Sequence, residues 1–140
     1  MTVISDGAYR IHFTPEQLLT TSDTAPGVHI HLWPPDPDLT QTWQVRSIDD
    51  GTHTIRAADS QLYLSFDGDP DMHVLALGKT EARSWKLRPG KEYDSFAITV
   101  PDTDMRLGLS LLKIYPPRVA LAPNYGDPYQ AWTFTKAVIA

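Results

Sequence analysis

Apolar and polar side chains alternate along this chain in short runs with a period of two, the signature of strands that bury one face. Tyr9-Arg10-Ile11-His12-Phe13 alternates strictly, His53-Thr54-Ile55-Arg56 does so in weaker form, and Phe96-Ala97-Ile98-Thr99-Val100 opens a third such run. Each run predicts a strand and is followed by a short leucine strand: Leu18 to Ser22, Leu62 to Phe66 and Leu107 to Leu111. A third set begins at valine (Val28 to Trp33, Val74 to Leu77, Val119 to Ala122). A fourth begins at tryptophan (Trp43 to Ile48, Trp85 to Leu87, Trp132 to Thr135). Only Thr14-Pro15-Glu16-Gln17 carries a helix-start signal, enough for one turn.

The four sets recur in a fixed order, which makes the chain a threefold repeat. Leu19, Ser22, Val28 and Trp43 form one copy; Leu62, Ser65, Val74 and Trp85 the next; Leu107, Ser110, Val119 and Trp132 the last. Leucine to tryptophan spans 24, 23 and 25 residues, and Ile11, Ile55 and Ile98 precede the leucines by 8, 7 and 9. Twelve strands in three equal units predict an all-β single domain, a β-trefoil, with repeats at about 7–48, 52–88 and 95–137. Six strands would close a barrel and six would cap it with hairpins. A propeller normally needs more than three blades, and an immunoglobulin-like sandwich explains no triplication.

Composition narrows the function classes. Among 140 residues there are 12 prolines, 8 glycines and no cysteine, which suits stiff turns and excludes disulfides, thiolate metal sites and a cysteine nucleophile. The net charge is -5 with basic residues scattered singly, so no phosphate-backbone stripe is expected and nucleic acid is excluded as a partner. No apolar run reaches membrane-spanning length, and residues 1–9 lack the pattern of a secretion signal. The expectation is a cytoplasmic protein with no membrane partner and no cofactor.

Gln41-Thr42-Trp43 and Gln130-Ala131-Trp132 resemble the Q-x-W motif of ricin-B-type β-trefoils, with Arg83-Ser84-Trp85 a degenerate middle copy. The resemblance spans the chain, from Asp6-Gly7-Ala8-Tyr9-Arg10-Ile11 to Trp132-Thr133-Phe134. The entry segment and the cysteine-free composition resemble cytoplasmic mushroom trefoils. That group holds ricin-B-like lectins, the lectin-like light subunit of mushroom tyrosinase with its mannose-binding relative, and trefoil protease inhibitors. It implies a non-catalytic protein whose partner is a carbohydrate of mannose or galactose type, or an enzyme subunit; the fold alone does not choose.

A lectin of this kind would stack a sugar on an aromatic at the end of the third strand and hydrogen-bond its hydroxyls, because a sugar has an apolar face and a polar rim. Repeat one supplies Trp33, followed by Asp36, Asp38 and Gln41, with Asp23 after the second strand. Thr20 or Thr21 stands where the family has Asp, and Pro34-Pro35-Asp36-Pro37 stiffens the loop. The competing reading makes Trp33 a cover for the barrel mouth and the aspartates solvated turn residues. Repeat two has Leu77 at the aromatic position and is expected to be silent, while repeat three offers Asn124 with Tyr125 and Tyr129.

Other constellations read as scaffold or interface. Trp43, Trp85 and Trp132 share one repeat phase and are expected in the core. His29 and His31 share a strand face, but no third ligand is in view and no metal is expected. Recurring Ser22, Ser65 and Ser110 suggest turn bonding rather than a nucleophile, which would occur once beside a base. Leu112, Lys113, Ile114, Tyr115, Arg118, Tyr125 and Tyr129 form a candidate protein interface. Within it, Lys113 or Arg118 could serve a protease-inhibitory loop.

Overall fold

The computed structural model describes residues 4–48, 51–125 and 130–137. Repeat one contains β1 (Gly7–Thr14), β2 (Gln17–Thr20), β3 (Val28–His29), β4 (His31–Trp33) and β5 (Trp43–Ser47). Repeat two contains β6 (His53–Ala57), β7 (Tyr63–Ser65), β8 (Leu77–Lys79) and β9 (Lys86–Pro89). Repeat three contains β10 (Ser95–Thr99), β11 (Arg106–Leu109), β12 (Val119–Ala122) and β13 (Trp132–Lys136). No described residue is helical, and Pro15-Glu16 forms a two-residue reverse turn inside the β1–β2 hairpin instead of the expected helical turn, because Thr14 and Gln17 pair across it.

The first and last strands of the repeats close a ring of six. β1 pairs with β5, β5 with β6, β9 with β10, β10 with β13 and β13 with β1, all antiparallel. The remaining gap between β6 and β9 is spanned by His53 and Trp85, whose backbones exchange bonds of 2.8 and 2.7 Å. The middle strands form three hairpins, β2·β4, β7·β8 and β11·β12, that cap one end of the barrel. This is the β-trefoil that the triplicated strand pattern predicts.

The repeated isoleucines and tryptophans lie in the core. Ile11, Ile55, Ile98, Trp43, Trp85 and Trp132 are all fully buried. Each indole N–H donates to a second-strand carbonyl: Trp43 to Leu19, Trp85 to Leu64 and Trp132 to Leu107, at 2.9, 2.9 and 3.0 Å. Burying an aromatic of this size is worth a few kcal/mol, and the indole bond leaves neither partner wanting.

These bonds correct the alignment of repeat two. Its structural counterpart of Leu19 and Leu107 is Leu64, not Leu62. Leu62 is buried for another reason. The residues facing Leu19 and Leu107 across the hairpins are Leu32 and Leu121, whereas Leu64 faces Gly78. A Cβ at Gly78 would stand 3.0 Å from Leu62 Cδ1 and 3.1 Å from Val28 Cγ1, so these side chains occupy the space that a third leucine would fill. The same register places Lys79, rather than Leu77, at the level of Trp33, and Ala122 at that level in repeat three.

The third strands also meet one another around the pseudo-threefold axis, which is why the predicted strand from Val28 to Trp33 divides into β3 and β4. β3 turns toward repeat two, where Gly27 N donates to Gly78 O at 2.8 Å and Ile30 N to Ala76 O at 3.1 Å. Repeat two meets repeat three in the same way, with His73 N on Leu121 O and Ala76 N on Val119 O at 2.9 and 2.8 Å. Gly27 and His73 both adopt positive φ, 90° and 69°, at this junction. At the third junction Leu32 N donates to Pro117 O at 2.9 Å and His31 bridges Arg118. The residue matching Gly27 and His73 there is Pro116, joined to Tyr115 by a cis bond, and it has no N–H to give.

Candidate functional site

Trp33 ends β4 and stays half-exposed, unlike the three repeat tryptophans. It cannot turn inward, because its neighbour Leu32 takes the inward position on the strand. Its ring lies against Tyr115 of repeat three, with centroids 5.6 Å apart and planes tilted by 54°, and His31 stands edge-on at 6.3 Å. Tyr115 is almost fully exposed. The two rings make an aromatic corner at the surface.

The loop after Trp33 is clamped by Gln41. The Gln41 amide donates to Pro34 O at 2.8 Å and to Thr20 Oγ1 at 3.2 Å, while its oxygen accepts the Asp36 N–H at 2.9 Å. Gln130 repeats this clamp in repeat three, donating to Pro123 O and accepting from Tyr125 N, both at 2.7 Å. In repeat two, Arg83 replaces it, reaching Ser65 Oγ at 3.0 Å and Phe66 O at 3.1 Å and lying 3.8 Å over the Phe66 ring. The Q-x-W glutamine is thus a buried loop brace, a role the short motif alone does not reveal.

The carboxylates differ in how much of them remains free. Asp36 accepts the Asp38 amide at 2.9 Å and is half-buried; Asp38 is exposed. Asp23 turns onto the Thr24 and Ala25 amides at 2.6 and 3.1 Å. Thr20 and Thr21 are both buried, with their hydroxyls on Leu18 O at 2.7 Å and Asp23 O at 2.8 Å. Asn124 is exposed in the loop after β12, where its backbone N–H donates to Asp104 at 3.3 Å. Trp33, Asp36, Asp38 and Gln41 therefore share one loop, Asp23 lies in the loop between β2 and β3, and Asn124 belongs to the next repeat.

Repeat three has a different surface. Gly108 stands at the register position of Thr20 and Ala122 at that of Trp33, and a cleft of about 340 Å³ opens over them. Phe13, His73, Leu109, Leu111 and Tyr125 wall it with largely apolar surface. Leu112, Ile114 and Tyr115 continue the exposed apolar face, and Lys113 stands exposed among them. Arg118 is half-buried with its carbonyl taken by Ser110 N at 2.9 Å, so its backbone is part of the cap. Tyr129 lies outside the described residues. Sequence reasoning missed this cleft because the residues that open it, Gly108, Ala120 and Ala122, are conspicuous only for what they lack.

Among the described residues no three His, Cys, Asp or Glu side chains converge as a metal site. Burial is the first cause that pulls His31 below the ordinary histidine range, with the Arg118 charge adding to it and the His29 carbonyl opposing.

The fold is shared with solved structures over their full length. The Rhizoctonia solani agglutinin matches with a TM-score of 0.86 at 19% identity, over 98% of this chain and 99% of that one. The Macrolepiota procera ricin B-like lectin, solved with lactose, matches at 0.79 and 20% over 98% and 100%. The proteinase inhibitor of Coprinopsis cinerea matches at 0.68 and 15% over 96% and 100%. No protein-family model and no curated protein matches the sequence. These likenesses define the chain as a β-trefoil with the architecture seen in fungal ricin B-like lectins.

Proposed function

We propose that this protein is a non-catalytic, lectin-like carbohydrate-binding protein of the ricin-B-like kind, with its sugar laid on Trp33. The observation that carries the reading is the aromatic corner of Trp33 and Tyr115 beside a loop held rigid by Gln41, with Asp36 and Asp38 next to it. A ring face supplies the apolar contact, and carboxylates accept hydroxyl protons. Rigidity in the loop keeps the ordering cost of binding low. The lactose complex of a structural neighbour supports this choice of ligand class.

Titration of tryptophan fluorescence with lactose, galactose and mannose tests it. A saturable change is expected that Trp33→Ala abolishes while the fold is retained. Silence toward every sugar on a glycan array would overturn it.

A second reading is favoured by the apolar face of repeat three, where Leu109, Leu111, Leu112, Ile114, Tyr115 and Tyr125 are all exposed. Such a face suits docking on an enzyme subunit, since aromatic anchors dominate interface energy. Co-purification from the native source tests it, and Leu111→Asp with Tyr115→Ser should release the partner. Stoichiometric inhibition of trypsin that Lys113→Ala removes would instead favour the inhibitor reading, for which a neighbour provides the precedent of fold.

A further inference from the structure

The junction between repeats one and three holds a second feature. Where the other two junctions close with an N–H from Gly27 or His73, Pro116 offers none, and a cleft of about 360 Å³ lies there. Ser22, Val28, His29, His31, Pro116 and Arg118 line it. Every strongly polar side chain in that lining is a cation, an imidazole or a hydroxyl.

The absence of a neutralising acid is unusual in a chain of net charge -5. Among the described residues the Arg118 guanidinium has neither an ion-pair nor a hydrogen-bond partner, although the residue is half-buried. The charged group acting on His31 is Arg118, and among the described residues no carboxylate acts on that ring. Asp23, next to Ser22, turns one carboxylate oxygen onto the Thr24 and Ala25 amides and does not line the cleft. A half-buried guanidinium keeps its planar fork of donors available, which matches a carboxylate or sulfate bidentately.

The cleft adjoins the aromatic corner at His31, which lines the cleft and whose ring stands edge-on to Trp33. We infer that this junction binds an oxyanion, a carboxylate or sulfate, carried on a saccharide. Arg118 holds the anion, His29, His31 and Ser22 add hydrogen bonds, and Trp33 with Tyr115 receives the sugar ring. The inference rests on the carbohydrate reading and narrows its ligand class to acidic sugars.

The test uses the full chain and three probes: sodium sulfate, lactose and 3′-sialyllactose. Sulfate should shift the His29 and His31 imidazole resonances in NMR spectra, and Arg118→Gln should remove the shifts. Sialyllactose should bind wild type roughly tenfold more tightly than lactose, a preference that Arg118→Gln erases. The exposed His29→Gln variant, which leaves the cap's backbone bonds alone, should weaken the sulfate response without unfolding the protein. Sulfate shifts that are absent, or unchanged in Arg118→Gln, would overturn the anion site. Arg118-dependent sulfate binding with no response to either sugar would support the anion site and overturn the carbohydrate reading beneath it.

Discussion

The indole N–H of Trp43 donates to the carbonyl of Leu19 at 2.9 Å, tying the last strand of repeat one to its second. Both residues are fully buried, so no water can replace the bond. Trp43→Phe leaves a carbonyl without its donor and a void beside it, which should destabilise the fold by about 2–4 kcal/mol in urea unfolding. A loss below roughly 1 kcal/mol, the size of a typical exchangeable hydrogen bond, would mean the barrel repacks freely.

Gly78 and Leu62 substitute jointly for a leucine present in the other repeats. Gly78→Ala should cost about 1–3 kcal/mol, because the new methyl meets the buried Leu62 and the half-buried Val28. Leu62→Ala should cost about 2–5 kcal/mol through a cavity. Combined, the two should lose at least ~0.5 kcal/mol less than their sum. Simple additivity in a double-mutant cycle would show that they do not share the space.

Arg83 braces repeat two as Gln41 and Gln130 brace the others. Arg83→Ala removes two hydrogen bonds and the contact with the Phe66 ring. A loss of about 1–3 kcal/mol is expected by thermal or chemical unfolding. Arg83→Gln, which keeps an amide able to reach Ser65, should lose less.

Stability should decline in mild acid. His12, His31 and His53 are all held below the ordinary histidine value of 6.5, with burial the first cause in each. The ring nitrogens of His53 are buried, and the nearby Asp6 charge and a backbone hydrogen bond at Ile4 only partly offset this. A folded-state value below the unfolded one means that the unfolded chain binds more protons as pH falls. The contribution of these neutral rings is therefore complete above about pH 6.5 and is lost as pH drops through that value toward the folded ones. Denaturant midpoints measured from pH 7.5 to 5 should fall, and His53→Leu should flatten the slope.

Much of the scaffold was legible in the sequence because burial repeats. Ile11, Ile55 and Ile98 and the three core tryptophans each recur at one phase, and the barrel they build follows directly. In repeat two, Leu62 mimics the repeated leucine in spacing, two residues out of register with Leu64, while taking the place of a side chain missing from Gly78. Compensation between distant positions leaves no local mark. The candidate site was legible in its residue types, as Trp33 and its loop show. What Gln41 holds, and that Tyr115 from another repeat meets Trp33, depends on contacts across 7 and 82 residues of chain that no local pattern encodes.

Among the described residues the ring in which β1 bonds to both β5 and β13 leaves the barrel one break, between β6 and β9, and the His53–Trp85 bridge crosses it. The remaining open strand edges among the described residues lie in the cap, whose strands are two to four residues long, and β12 is bracketed by Pro117 and Pro123. A neighbouring copy would find little ladder to extend, so a chain rich in β-branched and aromatic strands carries its own protection against fibrous association.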